Sequence, residues 1–276
     1  MKLRTELTGK FIGGIDHSSS LLMLGSCFTD EIGHRLAAHG FNAVVNPTGT
    51  LYNPLSIAAT IRNLQAQRTY HADELIENQG LWRSFDHHSH LAHNDRSQAL
   101  KLINDSMATG YDALAKATHV IITFGTAYVF EHAGRVVCNC HKLPAGQFTR
   151  RRLDIEEITD IWRRIIDYYP DKKFIFTVSP IRHTADGLHG NQLSKATLHL
   201  AIDSLGAEYF PAYEALVDDL RDYRFYADDL VHPSPMAVSY VYDRFASTYF
   251  SPSTQAEAAI RYKAYLRSSH RTLHSV

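Results

Sequence analysis

The stretch Leu21-Leu22-Met23-Leu24-Gly25-Ser26-Cys27-Phe28-Thr29-Asp30 decides the fold. Its apolar run stops at Gly25-Ser26, and the spacing of Ile32, Leu36 and Ala37 then has helical periodicity. That order reads as a buried strand turning directly into a helix. Open parallel sheets gather ligands and catalytic groups at the carboxyl ends of such strands. Ser26 on this turn is the candidate nucleophile. Cys27 beside it reads as a packing residue, with a thiol nucleophile as the competing interpretation.

The pattern repeats downstream. After Gly40 as a helix C-cap, Phe41-Asn42-Ala43-Val44-Val45 reads as a second strand leading into the turn-forming Asn46-Pro47-Thr48-Gly49-Thr50. Pro54 opens a helix to about Gln65, with Ile57, Ala58 and Ile61 on its inner stripe. A less regular stretch carries His71, His87, His88, His90 and His93, which read as loop residues before a helix from Arg96 to Ala115. His119 to Phe124 is a β-branched, buried-type strand ended by Gly125-Thr126. Tyr128–Glu131 and Arg135–Cys138 flank a hairpin turn. A helix from Asp154 to Tyr168, a strand from Lys173 to Val178 and a helix from Ser194 to Ser204 follow. A short strand at Glu208–Phe210 and a helix from Ser234 to Tyr249 complete the alternation.

Strands alternating with helices imply right-handed crossovers and a parallel sheet covered on both faces. The expected fold is a three-layer α/β/α domain with a central parallel sheet, spanning residues 1–276 as one unit. A β-hairpin excursion interrupts it near 127–150, and a polar helical tail begins at about residue 255.

Composition narrows the function classes. Hydrophobic residues make up 45% and charged residues 21%, an ordinary globular balance, and the net charge is -1. No global field favours nucleic acid or an anionic membrane, and the short run Arg150-Arg151-Arg152 leading into a helix reads as a solvated face. Cys27, Cys138 and Cys140 make a poor disulfide framework, which fits a reducing compartment. The start Met1-Lys2-Leu3-Arg4-Thr5-Glu6 lacks the apolar core of a signal peptide, and no apolar run approaches a membrane span. A cytoplasmic protein is expected.

Near the far end stands Asp228-Asp229-Leu230-Val231-His232-Pro233-Ser234. A hydroxyl nucleophile needs a base to take its proton, commonly a histidine whose other ring nitrogen is held by a carboxylate. A turn spanning Asp-x-x-His brings those two side chains together locally. The three-residue spacing favours Asp229 over Asp228 as the orienter of His232. Arg182 and His183, just past the strand ending at Val178, are expected on the same rim as Ser26. There Arg182 either holds an anionic group of the substrate or pairs with one of the aspartates at 218, 219, 228 or 229. Cys138 and Cys140 with the lone His141 lack the paired spacing of a zinc site, and the histidines at 87 to 93 have no fixed carboxylate or cysteine partner. No metal site is expected.

A Gly-Ser turn early and Asp-x-x-His late resembles the plan of SGNH/GDSL hydrolases. The finer pattern resembles the bacterial GSCFA-domain family. It is carried by Gly25-Ser26-Cys27-Phe28, with Thr29 where the family name has Ala, and by Asn46-Pro-Thr-Gly-Thr-Leu-Tyr-Asn-Pro-Leu-Ser56. Thr123-Phe-Gly-Thr-Ala-Tyr-Val129, Asn139-Cys-His-Lys142, Ser179-Pro-Ile-Arg-His183 and Tyr223-Arg-Phe-Tyr-Ala-Asp-Asp-Leu-Val-His-Pro233 extend it over nearly the whole chain.

The resemblance implies a flavodoxin-like sheet, with Ser26 as nucleophile, His232 as base and Asp229 as orienter. It implies an oxyanion hole from the Ser26 and Gly49 N–H groups and an asparagine. The sequence after the third main strand, Gly125-Thr126-Ala127, has no such asparagine. Asn139 or Asn46 takes that place in space, or the hole has fewer donors. Asn46, Gly125, Thr126, His141, Arg182 and His183 are the expected substrate-side residues. The implied activity is a serine esterase working through an acyl-enzyme on an O-acylated small molecule or carbohydrate, without cofactor. The alternative is a catalytically weakened binding module or an acyltransferase. The oligomeric state is left open.

Overall fold

The computed structural model describes residues 5–7 and 9–271. Most of Met1–Glu6, on which the absence of a leader was argued, lies outside the described residues, as do 272–276 at the end of the tail.

The central sheet is built from β1 (Ser20–Gly25), β2 (Asn42–Val45), β5 (His119–Phe124), β9 (Lys173–Val178) and β10 (Glu208–Tyr209). All neighbours run parallel in the order β10-β9-β5-β1-β2. Numbered along the chain, that is 2-1-3-4-5, the flavodoxin-like order. The chain winds one way from β1 to β2 and the other way from β5 onward, so β1 and β5 flank the switch point. Crevices open there at the carboxyl ends of the strands. Gly25 and Phe124 mark those two ends.

Alternation along each strand sorts the core into two layers. Leu22, Leu24, Val120, Ile122, Phe124, Phe174 and Phe176 face a core completed by Ile57 and Ile61 of α2 (Pro54–Gln65), Ile103 of α3 (Arg96–Lys116), Trp162 of α4 (Ile155–Tyr168) and Leu198 of α5 (Gly187–Leu205). Leu21, Met23, Ile121 and Ile175 face the other core. Ile32 and Leu36 of α1 (Cys27–Ala38) complete that layer with Ala212 of the short α6 (Ala212–Glu214) and Val241 and Phe245 of α7 (Pro235–Tyr249). The three-layer architecture is as the alternation of elements predicts. The tail read as helical from residue 255 is α8 (Pro252–Arg271), which starts earlier and packs Ala258 into the second core.

The excursion is larger than a hairpin. β6 (Tyr128–His132) pairs antiparallel with both β7 (Arg135–Val137) and β8 (Thr149–Arg152), giving a separate three-stranded sheet. The basic run at 150–152 is the edge strand of that sheet. Arg150 pairs with Asp186, and Arg151 with Glu131 and Glu157, so two of its three arginines are tied down rather than simply solvated. The stretch 70–95 contains a further hairpin, β3 (Ile76–Asn78) and β4 (Leu81–Arg83). Gln79 and Gly80 both adopt positive φ in its two-residue loop, the geometry that matches strand twist. Among the described residues no helix is long and apolar enough to cross a membrane.

Candidate active site

The turn after β1 is held from three sides. Gly25 takes φ +150°, and a Cβ there would lie 2.3 Å from the Thr123 carbonyl oxygen, so only glycine lets β1 and β5 close on each other. Its N–H donates to Asn46 Oδ1 at 2.8 Å, and Asn46 Nδ2 donates to Asp30 at 2.8 Å. Asn46 thus ties the loop after β2 to the start of α1. It is buried in this task and does not border the crevice.

Ser26 and Cys27 then meet different surroundings. Ser26 is the N-cap of α1 and only 2% exposed, and its Oγ has no hydrogen-bond partner among the described residues. Its N–H donates to Thr123 O at 3.3 Å. Cys27 is the first helical residue and borders the crevice. Its Sγ lies 3.6 Å from His232 Nε2. The contact expected between Ser26 and His232 is therefore made by Cys27, because a one-residue step at the end of a strand changes the face a side chain takes.

The partner loop assembles as its spacing predicts. Asp229 Oδ2 meets His232 Nδ1 at 2.6 Å, while Oδ1 accepts the N–H groups of Val231 and His232, both at 2.9 Å. A carboxylate only accepts, so Nδ1 carries a proton, and in that tautomer Nε2 is the nitrogen whose lone pair faces Cys27. The His232 N–H, the Val231 N–H and the imidazole together hold the Asp229 carboxyl down at about 2. Leu230 in left-handed conformation closes the loop, and Ala227 N–H donates to His232 O at 2.8 Å.

The sulfur itself experiences opposing influences. Burial, and then the Asp30 charge, push the Cys27 thiol above its ordinary value. The backbone N–H groups of Cys27 and Phe28 at the helix start pull the other way. Burial wins, so the resting sulfur is a thiol.

A cavity of about 870 Å³ adjoins this pair. Cys27, Tyr52, Asn53, Thr126 and His232 line it from the central domain, and the excursion contributes chiefly Tyr128, Phe130, Val137, Leu143 and Phe148. The loop after β9 supplies Ile181, Arg182 and His183. Of the residues expected on the substrate side, Thr126, Arg182 and His183 border this space and Gly125, Asn46 and His141 do not. Gly125 is sealed beneath Tyr52, whose carbonyl accepts the N–H groups of both Gly125 and Thr126 at 2.8 and 2.9 Å. His141 is buried, with Nε2 2.6 Å from Ser84 O, a bond that braces the excursion. Gly49 is also displaced from its expected role. Its N–H donates to Asn46 O at 2.8 Å, and His88 and His90 pack directly over its Cα. Asn139 borders the cavity, its amide bonded to Ser89 Oγ at 3.2 Å and to the His141 N–H at 2.8 Å. Neither His88 nor His90 reaches the cavity; their Nδ1 atoms face each other at 3.0 Å. Among the described residues no cluster of three or more His, Cys, Asp or Glu side chains is gathered to hold a metal.

One buried group behind the crevice escaped the sequence reading. Lys195 of α5 is 1% exposed and donates to Gly125 O at 2.6 Å and to Ser179 O at 2.7 Å, joining the ends of β5 and β9. Burial pulls its ammonium down to about 7. His183 Nε2 also meets Gly125 O, at 3.2 Å, and burial beside Lys195 takes it down to about 4. Helical spacing alone gives no sign that a lysine at this position turns inward. For Cys27 a signal exists: the residue after an N-cap starts the helix and can project from the strand end.

A parallel α/β/α protein with a Cys-His-Asp constellation at its switch point is the class that fold and geometry define. The model of the GSCFA family matches residues 20–245, and the chain belongs to that family. No curated protein matches. A solved chain from Streptococcus pneumonia, provisionally described as a platelet activating factor, is similar over 85% of this chain and 84% of its own, with 11% identity and a TM-score of 0.38.

Proposed function

We propose that the chain is an acyl-transfer enzyme, in its simplest form a carboxylic-ester hydrolase, with Cys27 as nucleophile, His232 as base and Asp229 as orienter. The observation that carries this reading is the unbroken line from Cys27 Sγ to His232 Nε2 at 3.6 Å and from His232 Nδ1 to Asp229 at 2.6 Å. His232 takes the thiol proton as sulfur attacks the acyl carbon. The N–H groups of Cys27 and Phe28, at the positive end of α1, stabilise the oxyanion. The leaving alkoxide departs with the proton from His232, and a thioester remains. Water, activated by the same imidazole, then attacks the thioester; the acid leaves and Cys27 recovers its proton.

The resemblance to the SGNH/GDSL plan supports this order of residues. Read from the sequence, the resemblance falls on Ser26, one place after Gly25; in the pattern that the name GDSL spells, the serine stands two places after glycine, and that offset falls on Cys27. By the same resemblance the substrate is an O-acylated small molecule or carbohydrate. The raised thiol favours a second reading, a binding site whose sulfur is dormant.

The test uses full-length protein with p-nitrophenyl acetate turnover, and iodoacetamide labelling mapped by mass spectrometry. Cys27→Ala is expected to abolish both turnover and labelling at that peptide, and Ser26→Ala to preserve both. Loss of turnover in Ser26→Ala with turnover kept in Cys27→Ala would return the nucleophile to Ser26. Absence of turnover from the unaltered chain, with a ligand bound in the cavity, would favour the dormant-thiol reading.

A further inference from the structure

The charges bordering the cavity do not cancel. Arg150 is paired with Asp186 and lies over the Tyr128 ring at 4.0 Å. Arg182 has no carboxylate within ion-pair distance among the described residues. Its guanidinium instead lies over two phenol rings, with its central carbon 4.1 Å from the Tyr226 ring centre and 5.1 Å from that of Tyr223, and both tyrosine hydroxyls act on it as hydrogen-bond partners. The two tyrosines fix the guanidinium in place, and of its five N–H donors those not taken up by the phenols remain to bond a ligand. The Arg182 backbone N–H donates to Val231 O at 3.3 Å, which anchors this cation to the loop that carries His232. None of the aspartates at 218, 219, 228 and 229 is within ion-pair distance of it among the described residues. Asp229 instead holds His232, and Asp219 accepts from Tyr240 and from the Leu7 N–H.

The wall across the cavity has the opposite character. Phe130, Val137, Leu143 and Phe148 line it with apolar side chains beside Asn139 and Arg150, and Phe130 remains 40% exposed despite its size. A space of this volume suits a small-molecule ligand. We infer that the ligand of this cavity is an amphiphilic acyl ester: an apolar portion lies on the excursion wall, and an anionic group, carboxylate or phosphate, is bound by Arg182. This rests on the reading of Cys27 as the acyl-accepting thiol, since that reading sets the ester between the two regions. It narrows the substrate class from any O-acylated small molecule to one bearing a negative charge.

The experiment is isothermal titration of full-length Cys27→Ala protein, which binds without turning ligand over, using octanoate, octyl phosphate, octanamide and acetate. Octanoate or octyl phosphate is expected to bind about 10- to 100-fold tighter than octanamide, the range for a charge-assisted bond set against a neutral one. Acetate, which lacks the apolar part, is expected to bind more weakly than octanoate. The tighter of the two anions names the headgroup. Arg182→Gln should remove the preference for anions while leaving octanamide affinity unchanged, and Arg182→Lys should retain part of it. Equal affinity for octanoate and octanamide overturns the inference, as does an anion preference that survives Arg182→Gln or no binding of any probe. Iodoacetamide labelling of Cys27 in the unaltered chain reports separately on the nucleophile, so failure of that assignment is distinguishable from failure of this one.

Discussion

Cys27 and Asp229 show how single residues set the chemistry. A carboxylate held at about 2 stays ionised at every pH where the protein is assayed, so Asp229 itself does not shape the acid limb of a rate profile. Asp229→Asn keeps the shape of the loop but no longer enforces the Nδ1 proton, and kcat/KM for p-nitrophenyl acetate is expected to fall about 100- to 10,000-fold. The thiol behaves in the opposite sense. Because burial and Asp30 raise its pKa, less thiolate exists at a given pH, so alkylation of Cys27 should keep climbing past pH 9 without a plateau near neutrality. Iodoacetamide rates between pH 6 and pH 10 check this, and a plateau at neutral pH would indicate a preformed thiolate–imidazolium pair. Ser26→Ala removes a buried hydroxyl that has no partner among the described residues, so its melting temperature should be unchanged or slightly higher. The Asp229–His232 pair was legible in the sequence because the whole device lies within one turn. The choice between Ser26 and Cys27 was not, since strand-end geometry, absent from composition and spacing, decides which of two adjacent side chains enters the crevice.

Elements follow the same division. The strands of the central sheet were readable because β5 and β9, apart from Lys173, are buried on both faces and carry apolar runs at 120–122 and 174–176. β8 hid behind its arginines, whose partners Asp186, Glu131 and Glu157 lie far off in sequence or on neighbouring elements. Lys195 hid for a related reason: carbonyl oxygens at the ends of β5 and β9 accept from it, and carbonyls leave no trace in a side-chain pattern. A lysine held at about 7 is charged and buried below that pH, which costs stability. The folded pKa lies below the unfolded value of about 10.4, so the unfolded chain binds more protons between them and stability rises with pH there. Between pH 7 and pH 9 the gain is roughly 2 kcal/mol for a shift of this size. Lys195→Met leaves two carbonyls without that donor but removes the titration. Urea unfolding of both proteins at pH 7 and pH 9 should therefore show the gap between them widening by about that amount in favour of the lysine.

In the whole molecule the crevice has one rigid side and one attached side. The rigid side is the sheet switch point, where Gly25, Asn46 and Lys195 lock β1, α1, β5 and β9 together. The attached side is the three-stranded excursion, which contributes the apolar wall but shares no ladder with the central sheet. Arg150 on β8 reaches Asp186 at the start of α5, so this pair joins the excursion to the loop carrying Arg182 across the mouth of the cavity. Asp186 has a side chain only 7% exposed, and a carboxylate so enclosed loses much when its cation is removed. Arg150→Ala should therefore loosen both sides of the mouth while sparing the sheet. Hydrogen exchange is expected to quicken in residues 128–152 and 182–188 and to stay unchanged in β1, β5 and β9. KM for a long-chain p-nitrophenyl ester should rise while that for the acetate ester changes little, because only the longer acyl group reaches the excursion wall. Equal exchange in both proteins would mean that the excursion is held by its buried contacts, such as the His141–Ser84 bond, and that the ion pair across the mouth is incidental.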